Sequence, residues 1–333
     1  MDIRLIWKEH AFEAQKVIEF FSAPSTDPEL HEHIKSVCGP YVAQPDSERL
    51  VGRLGAGRFT ISDLTKWRQA GNPNFRETAG LKEVVIDRMC RLGLLSHLNL
   101  GTWAEGYGIV SDHGRSLLAS LCNQKALENA VFGWQYIFQK YSPCIYKVLV
   151  TNSEGDPSIG TAFAVQHQGI HLAVSNLHVI GDCESYEVKD IEGRTFDVIQ
   201  ELDVCEDDLK ILVLAEDPPS SCLPLGSGVS ALDEVMVCGF PAVPFTDSAI
   251  QVCHLGEVNA LANTLDRRRR VIYSARTEPG NSGGPVLDLY GRVVGVATNQ
   301  FFSESGFEKG NLPYYACIPS ELLESAISSV QVR

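Results

Sequence analysis

Glu278-Pro279-Gly280-Asn281-Ser282-Gly283-Gly284-Pro285 is the stretch on which the reading of this chain turns. A serine sits among glycines, directly ahead of the strand-like run Val286-Leu287-Asp288-Leu289. Glycines beside a serine let the backbone turn sharply and let a substrate carbonyl come close. A serine hydroxyl is a weak nucleophile until a base takes its proton. The stretch therefore asks the rest of the chain for a histidine and for a carboxylate to orient it.

Around it, from Pro143 onward, the pattern is that of strands. The runs 144–151, 160–165, 171–176, 195–202, 209–214, 234–240, 251–259, 270–275, 285–289, 292–298 and 314–318 are rich in β-formers, and Gly, Pro, Asn or Asp separates most of them. So many short strands without intervening helices predict an all-β barrel or sandwich. The tail from Pro319 to Ile327 reads as a helix capped by Ser320.

Among the nine histidines, His178 stands out. It follows the apolar run Leu172-Ala173-Val174-Ser175-Asn176-Leu177, at the point where a buried strand breaks into a turn. A histidine there is held in place and still open to a cleft. His167 and His171 flank a hairpin turn and His254 lies inside a strand, which are ordinary surface or structural positions. The carboxylate candidates are Glu206, Asp207 and Asp208. Asp208 directly precedes the strand 209–214 and is preferred, with Asp207 as runner-up.

Gly160-Thr161-Ala162-Phe163-Ala164-Val165, Ser175-Asn176-Leu177-His178-Val179-Ile180, Asp208-Leu209-Lys210-Ile211-Leu212 and Gly280-Asn281-Ser282-Gly283-Gly284-Pro285 together resemble the signature blocks of trypsin-like serine proteases. The last block and Tyr315-Ala316-Cys317-Ile318-Pro319-Ser320 are most similar to the bacterial Deg/HtrA-type branch. The resemblance covers about residues 143–330. It implies a chymotrypsin-like double β-barrel that cleaves peptide bonds through an acyl-enzyme, without cofactor or metal. Ser282 is then the nucleophile, His178 the base, Asp208 its orienting carboxylate, and the backbone N–H groups of Gly280 and Ser282 the oxyanion hole. It also puts Arg276, six residues before Ser282, at the base of the pocket for the residue preceding the scissile bond, with Thr298 and Asn299 along its wall. An arginine there favours acidic residues; an Arg276 turned to solvent is the other reading.

The chain also departs from that family. Lys210 stands where relatives usually have a small residue; on the strand face opposite Leu209 and Ile211 it is expected to be solvated, the other reading being that it perturbs the first barrel. Asn281 replaces the aspartate that pairs with a freed N-terminus in secreted trypsins, so that activation switch is not expected. Nor is the C-terminal peptide-binding module of the Deg/HtrA type, since the sequence ends soon after the last helix. The run Asp266-Arg267-Arg268-Arg269-Arg270 reads most simply as a solvated loop; docking of an acidic partner and a processing site are the other readings.

Residues 1–142 read differently. Helical spacing of Phe12, Ala14, Val17, Ile18 and Phe21 predicts a helix over 8–22, broken by Ser22–Pro28, and Asp27-Pro28-Glu29 opens a second one. Then come short amphipathic helices over 47–54 and 59–67, the latter with Thr60 as N-cap, a third over 80–95, two extended runs and a last helix from Ser111. The order resembles a winged helix-turn-helix domain, carried by residues 60–64, 89–95 and 107–115. The expected layout is N-terminal helices (1–45), a winged helix-turn-helix-like domain (46–122), a helical connector (123–142) and the protease domain (143–333). The third helix carries Lys82, Glu83, Asp87, Arg88 and Arg91, a mixed set rather than a basic stripe. That favours docking of a regulatory protein over DNA.

The bulk numbers are those of a soluble globular protein. The 333 residues are 44% hydrophobic and 21% charged, ordinary values for such a chain. Residues 1–142 hold 16 basic and 16 acidic side chains, so the whole net charge of −14 lies in 143–333, which disfavours nucleic acid as a partner there. The N-terminus is charged throughout and lacks an apolar run of signal length, no segment reaches membrane-spanning length, and the ten cysteines show no zinc spacing. Free thiols and a cytoplasmic location follow as expectations. The expected function is a cytoplasmic serine endopeptidase of bacterial type, controlled by its N-terminal domain or a partner bound there, in stress response or phage defence. The alternatives are a DNA-binding regulator with an attached protease and an inactive protease-fold scaffold.

Overall fold

The change of period near Pro143 coincides with a change of architecture. The structure, a computed structural model, describes residues 3–39, 47–75, 80–99, 105–109, 112–217, 222–246, 248–301 and 314–330. The chain divides into two units, Met1–Tyr136 and Ile137–Arg333.

The first unit opens with α1 (Ile3–Thr26), α2 (Pro28–Cys38), α3 (Ser47–Gly55), α4 (Ile61–Gly71) and α5 (Leu81–Arg91). The strands β1 (Ser96–Asn99) and β2 (Glu105–Gly108) and the helices α6 (Asp112–Asn123) and α7 (Leu127–Phe132) come next, and α8 (Trp134–Tyr141) begins where the unit ends. Asp27 caps α2 by accepting from Leu30 N at 2.9 Å. Thr60 and Asp63 form a reciprocal capping box on α4, satisfying two otherwise orphaned amides. Helix α1 does not break at Ser22; it runs through Pro24 to Thr26, although a helix-interior proline normally breaks or kinks a helix. Phe12, expected on the apolar face, is 61% exposed. The N-terminal helices are not a separate layer, because α1 shares a core with the segment before α4. Phe20 and Phe21 of α1 pack against Phe59, with ring centroids 4.7 and 6.2 Å apart. β1 and β2 pair antiparallel, and Phe59 bridges to Tyr107 as a third extended residue.

The second unit contains two antiparallel sheets. One has the strand order β7-β6-β3-β4-β5-β9-β8. It comprises β3 (Ile145–Asn152), β4 (Pro157–His167), β5 (Ile170–Asn176), β6 (Cys183–Lys189), β7 (Thr195–Phe196), β8 (Val198–Val204) and β9 (Leu209–Leu214). A helical turn, α9 (Leu177–Ile180), lies between β5 and β6. The other sheet closes into a barrel in the order β10-β11-β12-β15-β14-β13. It is built from β10 (Glu234–Gly239), β11 (Val252–Asn263), β12 (Arg269–Tyr273), β13 (Pro285–Asp288), β14 (Val293–Phe301) and β15 (Tyr314–Pro319). Val235, Val237, Val271, Tyr273, Val286 and Cys317 fill it. On β10 and β12 alternate residues point inward, Val235 and Val237, and Val271 and Tyr273, as the period of two requires, while β11, β13 and β14 carry register shifts. The chain then enters α10 (Ser320–Ser328), with Pro319 rather than Ser320 in the cap position and the Ser320 hydroxyl buried without a partner.

Two sequence expectations fail inside these sheets. Lys210 is not solvated. Its side chain is 7% exposed, and its ammonium is 2.6 Å from both Glu201 and Asp203 on the neighbouring β8. Burial alone would lower its pKa, but hydrogen bonds to those two carboxylates outweigh that and raise it. The arginine run is not all loop either, because β12 begins at Arg269 and Arg270 is only 6% exposed.

Candidate active site

Strand register brings His178 and Asp208 together. β5 and β9 are antiparallel neighbours with Asn176 opposite Leu209. Asp208 therefore stands one residue before that pair and His178 two residues after it. The backbone closes the corner: Leu177 N and Asn176 Nδ2 both donate to Asp208 O at 3.1 Å. Asp208 takes a left-handed conformation with φ +62°, which aspartate tolerates better than most residues.

Its carboxylate is then surrounded by donors. His178 N donates to Oδ1 at 2.9 Å, His178 Nδ1 to Oδ2 at 2.7 Å, and Thr298 Oγ1 to Oδ2 at 3.0 Å. Burial pushes the Asp208 carboxyl up, but the hydrogen bonds and charge of His178, together with Thr298, outweigh it and hold the pKa below the usual carboxylate value. An ionised carboxylate only accepts, so Nδ1 of His178 must carry the proton between them. Nε2 is left as the basic nitrogen, on a side chain that is 41% exposed.

Backbone geometry fixes the serine loop. Asn281 N donates to Glu278 O at 2.9 Å across a turn whose second residue is Pro279 and whose third, Gly280, has φ +102°. Proline then positive-φ glycine is the type II pattern. A side chain is excluded at Gly280, because a Cβ there would lie 2.5 Å from Phe240 O. Gly283 is equally constrained: φ is +84°, and a Cβ would meet Thr161 O at 2.1 Å and Ser175 Oγ at 2.4 Å. Gly283, next to Ser282, thus abuts the strand that ends two residues before His178. Thr161 of β4 ties the sheets together. Its N–H donates to Ser282 O at 2.9 Å and its hydroxyl to Gly280 O at 2.6 Å, while Phe240 N donates to that hydroxyl at 3.0 Å.

Within this loop, among the described residues, the N–H groups of Gly280 and Ser282 and the Ser282 hydroxyl have no protein hydrogen-bond partner, whereas the intervening Asn281 N–H is used. Serine–base hydrogen bonds are commonly loose without substrate. Asn281 is 1% exposed and its Oδ1 has no partner.

The other expected residues lie elsewhere. Arg276 does not form a pocket floor: its side chain is 66% exposed and pairs with Glu278. Its neighbours Ala275 and Thr277 point inward, Thr277 bonding Tyr273 Oη at 2.9 Å, so alternation turns Arg276 out. Thr298 directs its hydroxyl to Asp208 rather than along a pocket wall. Asn299 lies on β14, and its side chain is outside the described residues. The His178 ring nitrogen Nδ1 is taken by Asp208, not by the runner-up Asp207. Nothing local to Thr161 announces its part in holding the serine loop beyond its place in the Gly160–Val165 block. Among the described residues no group of His, Cys, Asp or Glu is placed to hold a metal, and no helix is long and apolar enough to cross a membrane.

Residues 160–296, which include His178, Asp208 and Ser282, match the family model described as trypsin-like peptidase domain. An uncharacterized protein, y4bJ of Sinorhizobium fredii, is 35% identical over 144 residues, covering 43% of this chain and 22% of that protein. A putative serine protease of Synechocystis, HhoA, is 31% identical over 147 residues, covering 42% of this chain and 36% of that protein. The chain thus spans little more than a third, at most, of the length of these curated relatives. Among solved structures, the Rv3671c protease of M. tuberculosis in its active form is similar with TM-score 0.50 at 16% identity, over 59% of this chain and 85% of that one, a likeness of fold alone. The second unit carries a trypsin-like peptidase domain with HtrA/Deg protease homologues.

Proposed function

We propose that the chain is a serine endopeptidase working through Ser282, His178 and Asp208. The observation that carries this reading is a histidine oriented by Asp208, together with a serine loop in which the N–H groups of Gly280 and Ser282 are uncommitted. Ser282 Oγ attacks the scissile carbonyl carbon as His178 Nε2 takes its proton. Asp208 keeps the proton on Nδ1 and stabilises the imidazolium. Gly280 N–H and Ser282 N–H donate to the oxyanion that forms on the carbonyl oxygen. The intermediate collapses, the amine leaves with the proton from His178, and water, deprotonated by the same histidine, hydrolyses the acyl-enzyme.

Labelling with a fluorophosphonate probe tests the reading. Wild type labels and Ser282→Ala does not; no labelling of either the full chain or residues 137–333 would support an inactive scaffold instead.

The same reading assigns control to the first unit. Its order of three short helices, two paired strands and a helix resembles that of a winged helix and is read as a docking module for a regulatory protein. Helix α5 supports that use over DNA: Leu81, Val85, Ile86 and Met89 are buried, Arg88 reaches Ala130 O, and Arg91 pairs with Asp87. Ten free cysteines support a reducing, cytoplasmic setting. Equal peptide cleavage by the full chain and by residues 137–333 would overturn the control.

A further inference from the structure

Arg270 is the one strongly buried cation of the second unit without a carboxylate partner among the described residues. It is 6% exposed, and its guanidinium donates to the carbonyl of its own neighbour, Arg269 O, at 2.8 Å. Lys210, similarly buried, has two carboxylates at 2.6 Å. A guanidinium has five N–H donors. A buried charge left this far from satisfied is costly unless an anion completes it.

Arg270 is not sealed in. It lines a groove of about 530 Å³ together with Asn263, Thr264, Leu265, Arg268 and Ile272. Asp266 does not fill the role of partner, because its carboxylate is held by Arg268 at 3.1 Å and by the Thr264 hydroxyl. The groove is therefore positive at one point and apolar at Leu265 and Ile272.

Its position relative to the serine site comes from register. Val271, Cys317 and Ala297 form one row across β12, β15 and β14, with their side chains in the barrel core. The adjacent residues Arg270 and Ile272 on β12 and Thr298 on β14 then face outward, on the side where Thr298 meets Asp208. Two strand spacings separate β12 from β14, roughly 10 Å. The charges of Asp208 and Asp207 reach Arg270 and offset part of what burial and Arg268 do to it. An extended peptide advances ~3.3 Å per residue, so about three of its residues span the interval from β12 to the strand that carries Thr298.

We infer that the Arg270 groove is a specificity subsite that binds the carboxylate of an acidic side chain, Asp or Glu, in the peptide substrate. This rests on the endopeptidase reading above. It moves acid recognition from Arg276, which is solvated and already paired, to Arg270. It also gives a domain carrying 26 acidic and 12 basic residues over 143–333 a local means of attracting an acidic segment.

Binding to the full-length Ser282→Ala chain tests the subsite without requiring turnover, so its failure is distinct from a failure of fluorophosphonate labelling. Fluorescent peptides carrying Glu or Gln at each of four positions on either side of a central residue are titrated by anisotropy. One position should favour Glu over Gln by about tenfold, the scale of a charge-assisted hydrogen bond. Adding Arg270→Gln should collapse that ratio to about 1, and Arg270→Lys should restore part of it; thermal melts establish that each variant is folded. An equal Glu/Gln ratio with and without Arg270 overturns the subsite. So does displacement by inorganic phosphate with indifference to the position of Glu, which would make a free anion the ligand. A shift of the pH profile of cleavage by Arg270→Gln at an unchanged Glu/Gln ratio would instead tie Arg270 to Asp208, and overturns it too.

Discussion

His178 and Asp208 are set by strand register and then locked by side-chain chemistry. Asn176 faces Leu209 across β5 and β9, and three donors converge on one carboxylate. Ser282 is held by other means. Its loop depends on the positive φ of Gly280 and Gly283, on approaches too close for a Cβ, and on the bonds from Thr161. The first half of the site should therefore respond to changes of charge at constant shape. The second should respond to changes of shape at constant charge.

The largest effects test whether both halves act as one unit. Ser282→Ala and Asp208→Asn should each lower kcat/KM for a peptide substrate by ~10⁴-fold or more, because the surviving members of a triad achieve little alone. The double variant should be scarcely worse than Ser282→Ala. Additive losses in peptide hydrolysis would break the picture of a single unit. Gly280→Ala comes next. It adds one methyl and no charge, yet strains a backbone at φ +102° and places Cβ 2.5 Å from Phe240 O. Re-aiming one oxyanion donor should cost ~10²–10³-fold in kcat. A loss below threefold would show that the loop tolerates shape after all.

The charge-sensitive half has a signature in stability as well. The folded pKa of Asp208 is lowered, so its contribution is present above the unfolded value of about 3.9 and is lost as pH falls through the folded one. Asp208→Asn should thus be less stable than wild type at pH 7. The difference in denaturant midpoint should shrink as pH drops below about 5. A gap independent of pH would mean that the carboxylate matters for its shape and not for its charge.

The features legible in the sequence were the local ones. Asp27 and Thr60 are caps because their partners lie three residues away. Ser282 declares itself because the glycines it needs are adjacent. His178 and Asp208 draw notice because one follows an apolar strand and the other directly precedes one. What stayed hidden depends on register between distant strands. Thr298 reaches Asp208 from 90 residues away. Thr161 bonds Gly280 O over 119 residues. Arg270 reads as loop until β12 is known to begin at Arg269. Arg276 reads as a pocket floor until Ala275 and Thr277 are seen to point inward.

Lys210 gives the smallest effect and the finest test of the contrast. It lies beside Leu209 at the start of β9, two residues from Asp208, and its side chain is even more buried, yet its circumstances differ. Its partners Glu201 and Asp203 have side chains 42% and 47% exposed, so they regain water when the lysine is removed. Lys210→Met keeps the apolar stem against the sheet and leaves no charge stranded. The expected cost is within ~1 kcal/mol by denaturant melt, with kcat/KM within about twofold of wild type. Replacing both Glu201 by Gln and Asp203 by Asn strands the ammonium instead and should cost more than Lys210→Met. If the order were reversed, burial of the charge itself, and not the access of its partners to water, would set the sensitivity of this sheet, and the distinction drawn for Asp208 would have to be made on geometry alone.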